Sequence, residues 1–190
     1  MTLKELLAAN RSYRRFHQDR ALDEATLVGL VELVRLCPSA ANRQPLRFVL
    51  SWQPERNARI FPHLRWAAAL RPWPGPAEGE RPTGYIVIAG DRRVSELLDW
   101  DVGIAAQSML LGAAEQGLGG CMIGSIDRPA LGAELGLPEH LAIRLVVALG
   151  HPAEKVVLEE GPPEPRPYWR EADGVHHVPK RPLEELLVEW

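Results

Sequence analysis

The chain has 190 residues, of which 46% are hydrophobic and 25% charged. That is room for one globular domain with a sizeable core, and it argues against disorder. Its 22 basic and 25 acidic side chains leave a net charge of −3, so no basic excess marks a nucleic-acid surface. Residues 3–9 carry Leu3, Leu6 and Leu7 at the spacing of a short amphipathic helix. The basic stretch Arg11-Ser12-Tyr13-Arg14-Arg15-Phe16 follows. Asp23 reads as the N-cap of a helix whose apolar face is Leu27, Leu30, Val31 and Val34, and Pro38 stops it. Residues 46–51 read as a buried strand, and 56–70 as a helix broken at Pro62. Four prolines and two glycines make 71–82 an exposed, semi-rigid loop.

Residues 85–89 are the second strand. The longest helical pattern runs over 95–116, apolar on most sides from Leu97 and Leu98 to Ala113 and Ala114. A helix apolar nearly all round is buried nearly all round, and in so small a domain a second subunit would do the burying. Gly117 caps it, and 118–125 enters a Gly-rich turn. Asp127 caps a further helix with Pro129 in its first turn, and 143–149 is the third strong strand. Prolines 152, 162, 163, 165, 167 and 179 make 152–190 an extended tail, closing with a short helix over 183–187. There is no internal repeat. Alternating helices and strands by themselves suggest a parallel α/β sheet.

The common catalytic signatures are absent: no GxxxxGK[ST], GxGxxG after a strand, HExxH, CxxC or GxSxG. Cys37 and Cys121 are too few for a disulfide framework or a Cys-based zinc site, and read as buried free thiols. Of six histidines only His176-His177 are adjacent, and neighbours on an extended tail point apart, so no metal site is expected. Polar residues interrupt every apolar run before membrane-spanning length, and Met1-Thr2-Leu3-Lys4-Glu5 is no signal peptide. A single cytoplasmic domain over 1–190, without nucleic-acid or membrane partners, is the expectation.

Three groups could carry chemistry. Arg11-Ser12-Tyr13-Arg14 can grip a phosphate through charge-assisted hydrogen bonds, or be a solvated basic turn. Pro38-Ser39-Ala40-Ala41-Asn42-Arg43-Gln44-Pro45 offers small residues and two amides that suit a heterocycle's edge, or is a helix-stop turn with polar caps. Gly117-Leu118-Gly119-Gly120-Cys121-Met122-Ile123-Gly124-Ser125 lets backbone N–H groups face a ligand, or is a cap followed by a buried strand.

In this order the groups resemble the nitroreductase superfamily of FMN-dependent oxidoreductases, over nearly the whole chain. Arg11 to Phe16 is similar to its R-S-x-R-x-F element, and Pro38 to Pro45 to its P-S-x-x-N-x-Q-P. Asp101-Val102-Gly103-Ile104-Ala105-Ala106-Gln107-Ser108 with Gly117-Leu118-Gly119 resembles its core helix and G-L-G turn, and Ala148-Leu149-Gly150-His151-Pro152 its closing strand. The resemblance implies an α+β three-layer sandwich, a mixed central sheet flanked by helices, in a homodimer with FMN at the subunit interface. It implies Arg11, Ser12, Tyr13 and Arg14 at the phosphate and the pyrimidine side of the ring. Where many members have a further Arg, this chain has Asn10, and Lys180-Arg181 resembles the family's C-terminal basic pair. Pro38, Ser39, Ala40, Asn42 and Gln44 would reach the partner subunit's FMN. Ile123, Gly124 and Ser125 would approach flavin N5, with Gln107 nearby.

The chemistry so implied is hydride transfer from NAD(P)H to flavin N5, followed by reduction of a small planar acceptor in a ping-pong cycle. The flavin carries the reaction, so no catalytic acid or base is named. His63, Arg65, Trp66 and Trp73, around the Pro-rich loop, are the substrate candidates, with anchoring of that loop the alternative for the two tryptophans. The tail could reach across to the other subunit. Rival readings are an FMN-storing or FMN-sensing protein without turnover, a flavin-destroying or dehalogenating enzyme on the same scaffold, and a non-flavin interaction domain.

Overall fold

The computed structural model describes residues 1–70, 72–96, 98–161 and 167–190. Arg71, Leu97, Pro162, Pro163 and Pro165, which entered the readings of the loop, long helix and tail, lie outside the described residues. Helix α1 is Leu3–Ala9, started by a capping box in which Thr2 and Glu5 each accept the other's backbone N–H. Helix α2 is Glu24–Arg35, and the Asp23 carboxylate accepts from Thr26 N at 2.9 Å. Strand β1 is Leu46–Ser51, helix α3 Pro54–Ile60 and strand β2 Gly84–Asp91. Helix α4 is Asp99–Glu115, strand β3 Gly119–Ile123, helix α5 Arg128–Glu134 and strand β4 Leu141–Gly150.

The four strands order β1-β2-β4-β3, and each pair is antiparallel. The parallel sheet suggested by element alternation is therefore corrected. β2 and β3, joined by α4, do run the same way, but β4 inserts between them and turns every ladder antiparallel. Parallel pairing enters at the outer edge of β3, where Ser12 bridges Gly120.

Every residue of β2 is buried, because both faces of the sheet are covered. Ile86 and Ile88 pack with Leu27 and Leu30 of α2 and Ala105, Ala106 and Met109 of α4. Tyr85 and Val87 point the other way, to Ile60, Leu64, Trp66 and Leu131. The result is the expected three-layer α+β sandwich, with the core divided in two by the sheet.

Two local readings are also corrected. The helix expected over 56–70 begins at Pro54 and ends at Ile60; after a tight turn over Phe61–His63, Leu64 leaves the helix to bridge Ile126. Leu64 and Trp66, two apart, both enter the lower core, a strand-like spacing that a helix cannot satisfy. The Gly-rich run is not a turn over its length, since 119–123 is strand β3.

The tail folds back on its own chain over much of its length. Strands β5 (Val156–Glu160), β6 (Trp169–Arg170) and β7 (His176–Lys180) form a second sheet ordered β5-β7-β6, with β5 and β7 parallel. From Leu183 to Trp190, after a short turn over Leu183–Leu186, the chain is exposed. No helix among the described residues is long and apolar enough to cross a membrane.

Candidate functional site

The segment after α1 is held along the edge of β3. Arg11 Nη2 donates to the Leu7 carbonyl at 2.6 Å, answering one of the acceptors left at the helix's end. Tyr13 N donates to Gly120 O at 3.0 Å, and Phe16, fully buried, donates its N–H to Glu80 O. Alternation then sends Ser12 and Arg14 to one side and Tyr13 to the other. The Tyr13 ring covers Gly119, where an added Cβ would stand 2.5 Å from it.

Ser12 and Arg14 face a cavity of about 260 Å³, which they line with Arg11, Gln107 of α4 and Lys180 of β7. Five residues singled out in the sequence thus meet from three distant segments. Tyr13 and Arg181 do not line it. The lining also includes Asn10, Met122, Tyr168, His176 and Val178, which sequence reasoning did not place there. Among the described residues, no carboxylate lines the cavity.

Arg14 is only 8% exposed, yet it takes part in none of the ion pairs among the described residues. Its Nη1 donates to Ser12 O at 3.3 Å and to His176 Nε2 at 3.1 Å, and its guanidinium lies 4.6 Å from the Tyr168 ring centre. Burial, then the Arg14 charge, push the His176 pKa down to about 4, so the ring is neutral near pH 7. Arg11 Nε is buried with no hydrogen-bond partner among the described residues, and burial lowers that guanidinium's pKa. The nearby Glu154 carboxylate is already engaged: it accepts the backbone N–H groups of Arg14 and Arg15 and the Arg170 side chain at 2.6 Å. A buried cation without a counter-ion beside a carboxylate-free cavity is the electrostatic arrangement of an anion site.

A second cleft, of about 550 Å³, lies along another stretch of α4. It is lined by Pro38, Ser39 and Gln44 with Asp101, Ile104 and Ala105. Ala40 and Asn42 are held in the turn above it, where Ala40 N donates to Asp101 Oδ1 at 3.1 Å and Gln44 N to Ser39 Oγ at 2.9 Å. Ala41, Asn42 and Gln44 all have φ near +50°, backbone strain that three non-glycine residues rarely share.

At the end of β3 the three residues expected near the ring separate. Ile123 is in the core, whereas Gly124 and Ser125 are exposed. An added Cβ on Gly124 would find its nearest neighbour 4.0 Å away, so its backbone is open to approach. On Gly119 and Gly120, by contrast, the missing side chains make room for Tyr13 and Leu110, not for a ligand. Arg128 Nη2 fixes the Gly124 carbonyl at 3.0 Å. His63 and Arg65 run alongside: Asp127 N donates to His63 O at 2.9 Å and Arg65 N to Ser125 O at 3.0 Å.

Trp66 and Trp73 stand apart from this edge. Trp66 is buried against Gly75 and 5.9 Å from Phe61, and Trp73 lies 4.6 Å from the Arg170 guanidinium. These contacts favour the alternative in which both rings anchor the Pro-rich loop. The two histidines of the tail do point apart: His176 enters the cavity, and His177 stacks on Trp169 and pairs with Glu159. No group of three or more His, Cys, Asp or Glu among the described residues could hold a metal.

Comparisons with known proteins agree with this fold. A family model described as the nitroreductase family matches residues 7–151. An Archaeoglobus fulgidus protein named "Putative NADH dehydrogenase/NAD(P)H nitroreductase" is 25% identical over 159 residues, 80% of this chain and 86% of its own. A nitroreductase family protein from Streptococcus pneumoniae TIGR4 superposes with a TM-score of 0.72 at 17% identity, over 100% of both chains, a likeness of fold alone. A Desulfovibrio desulfuricans protein solved in complex with FMN superposes with a TM-score of 0.71 at 25% identity, over 100% of this chain and 97% of its own.

Proposed function

The chain belongs to the nitroreductase family, and from that premise we propose that it is a homodimeric, FMN-dependent oxidoreductase using NAD(P)H to reduce a small planar acceptor such as a nitroaromatic or a quinone. The observation that carries the reading is Arg14, a buried cation without a carboxylate partner, at a cavity shared with Arg11 and Lys180. The donor set fits FMN. Arg11, Ser12 and Lys180 supply two cations and a hydroxyl for a phosphate, the orphaned Arg11 Nε among them. Arg14 supplies fixed positive charge for the ring's pyrimidine edge, and Gln107 an amide that both donates and accepts.

When bound, FMN supplies the redox chemistry, accepting hydride from NAD(P)H and passing electrons to the acceptor. The protein's part is positional. Gly124 leaves the approach at the end of β3 unobstructed, with its carbonyl held by Arg128. His63 and Arg65, beside Ser125, border the space where an acceptor would lie. No side chain is assigned to proton transfer, because water can provide the proton.

What one chain leaves unfinished supports the dimer. A cavity of about 260 Å³ is below the roughly 300–1,000 Å³ usual for ligand sites. On α4, Trp100 and Ile104 are 73% and 37% exposed, so one side of its first two turns is left uncovered although Val102, Ala105 and Met109 are buried. The strained 38–45 turn and its cleft supply the complementary half, reaching the partner's cofactor. The exposed 183–190 segment is the part of the tail free to cross between subunits.

The test is the visible absorption spectrum of the purified protein with the released chromophore identified by chromatography. FMN near one per chain is expected, with its colour bleached by NADH or NADPH and restored by a nitroaromatic or quinone. Protein that stays colourless in excess FMN refutes the site. Bleaching without acceptor turnover favours a flavin-storing or flavin-sensing protein instead.

A further inference from the structure

His176 lies 162 residues from Arg14 in sequence, yet its Nε2 is 3.1 Å from Arg14 Nη1. Arginine can only donate, so Nε2 accepts and the ring hydrogen sits on Nδ1, which is buried without a partner among the described residues. Tyr168 backs the pair, 5.2 Å from the His176 ring and 4.6 Å from the guanidinium. Cation and acceptor are thus locked together from the segment beside β3 and from β7 of the second sheet, while Glu154 is tied to Arg170.

The chemistry of the acceptor matters. A carboxylate in place of His176 would also orient the guanidinium, but it would cancel the charge that an anionic ligand needs. A neutral imidazole orients the fork and leaves the charge intact. The charged and titratable groups facing it are Arg14, Arg170, Glu154 and His177, and burial with the arginines keeps it neutral near pH 7.

We propose that His176 is a positioning residue that aims the Arg14 guanidinium at the cofactor, making the C-terminal sheet an integral part of the FMN site. The inference rests on the FMN reading above. It predicts an ordering that a packing role would not produce. His176→Gln, whose amide oxygen can accept from Arg14, should bind FMN within about threefold of wild type. His176→Leu, which removes the acceptor, should bind roughly 10- to 100-fold more weakly. His176→Glu keeps an acceptor but adds negative charge, and should weaken binding and make the midpoint potential of the bound flavin more negative than in His176→Gln.

The assay is a flavin-fluorescence titration of the full chain stripped of FMN, with spectroelectrochemical potentials and thermal melts of each variant. Should His176→Leu fail to fold, the comparison of Gln with Glu decides the question. Equal affinities and equal potentials for Gln and Glu would overturn the inference, as would a folded His176→Leu that binds like wild type. In either case wild-type FMN binding leaves the cofactor reading standing. A wild-type chain that binds no FMN would overturn both.

Discussion

Arg14 and Arg170 belong to one buried network, and replacing each by Met should have opposite consequences. Arg170 Nη2 donates to Glu154 Oε2 at 2.6 Å, and that carboxylate is 1% exposed. Arg170→Met strands a buried anion with only backbone N–H partners, a loss of about 3–5 kcal/mol. For a chain of this size that is a fall of roughly 6–20 °C in Tm.

Arg14→Met removes the hydrogen bonds to Ser12 and His176, at about 0.5–1.5 kcal/mol each. It also removes a cation over Tyr168, about 0.5–2 kcal/mol. Against these losses it relieves a buried charge that has no counter-ion, a penalty of several kcal/mol. The flavin-free protein should therefore melt within a few degrees of wild type. FMN affinity should fall roughly 10- to 150-fold, the equivalent of about 1.5–3 kcal/mol for a charge-assisted contact. Melting curves and fluorescence titrations of flavin-free protein measure both quantities. An Arg14→Met protein that melts as early as Arg170→Met but binds FMN like wild type would refute the reasoning, because Arg14 would then be structural.

Gly119→Ala should cost about 1–3 kcal/mol in urea unfolding, since its Cβ meets the Tyr13 ring at 2.5 Å and Pro152 at 2.7 Å. Gly124→Ala should leave stability unchanged but slow flavin reduction by NAD(P)H in stopped flow. His176 gives a pH signature: its folded pKa of about 4 lies below the ordinary 6.5, so between these values the unfolded chain binds more protons. Stability should rise with pH through that window and be lost as pH falls from 6.5 towards 4, a slope reduced in His176→Gln when urea midpoints are compared. Ile104→Glu places a charge on the uncovered face of α4 and should shift a dimer to monomer in sedimentation, with FMN lost in parallel.

What could be read from the sequence was local. Helix α1 and strand β1 lie where the pattern put them, although β1, read as a buried strand, is an edge strand with only Ser51 fully buried. Asp23 and Asp127 cap their helices through bonds to residues three positions on. Composition left strand β3 open between a ligand-facing turn and a cap followed by a buried strand, and the second is what forms. Glycines at 119 and 120 give no apolar signal, and the need for them lies in Tyr13, Pro152 and Leu110, which approach from elsewhere in the chain. The small C-terminal sheet was hidden by proline, yet Pro179 is tolerated because β6 pairs only with His176 and His177, leaving β7 one neighbour beyond them.

The candidate site divides along the same line. Arg11, Ser12 and Arg14 form one short motif, so their meeting at one cavity was legible. His176, Tyr168 and Glu154 matter only because an extended segment near one end of the chain is sealed by the tail near the other, contacts more than 130 residues apart that carry no local periodicity. The arrangement also explains why the missing arginine at position 10 need not disable the site. Lys180 arrives in the cavity on the same strand as His176, four residues further along. On the proposed reading one β-strand delivers both a replacement cation and the acceptor that orients Arg14, which would tie the cofactor site's charge to the folding of the C-terminal sheet.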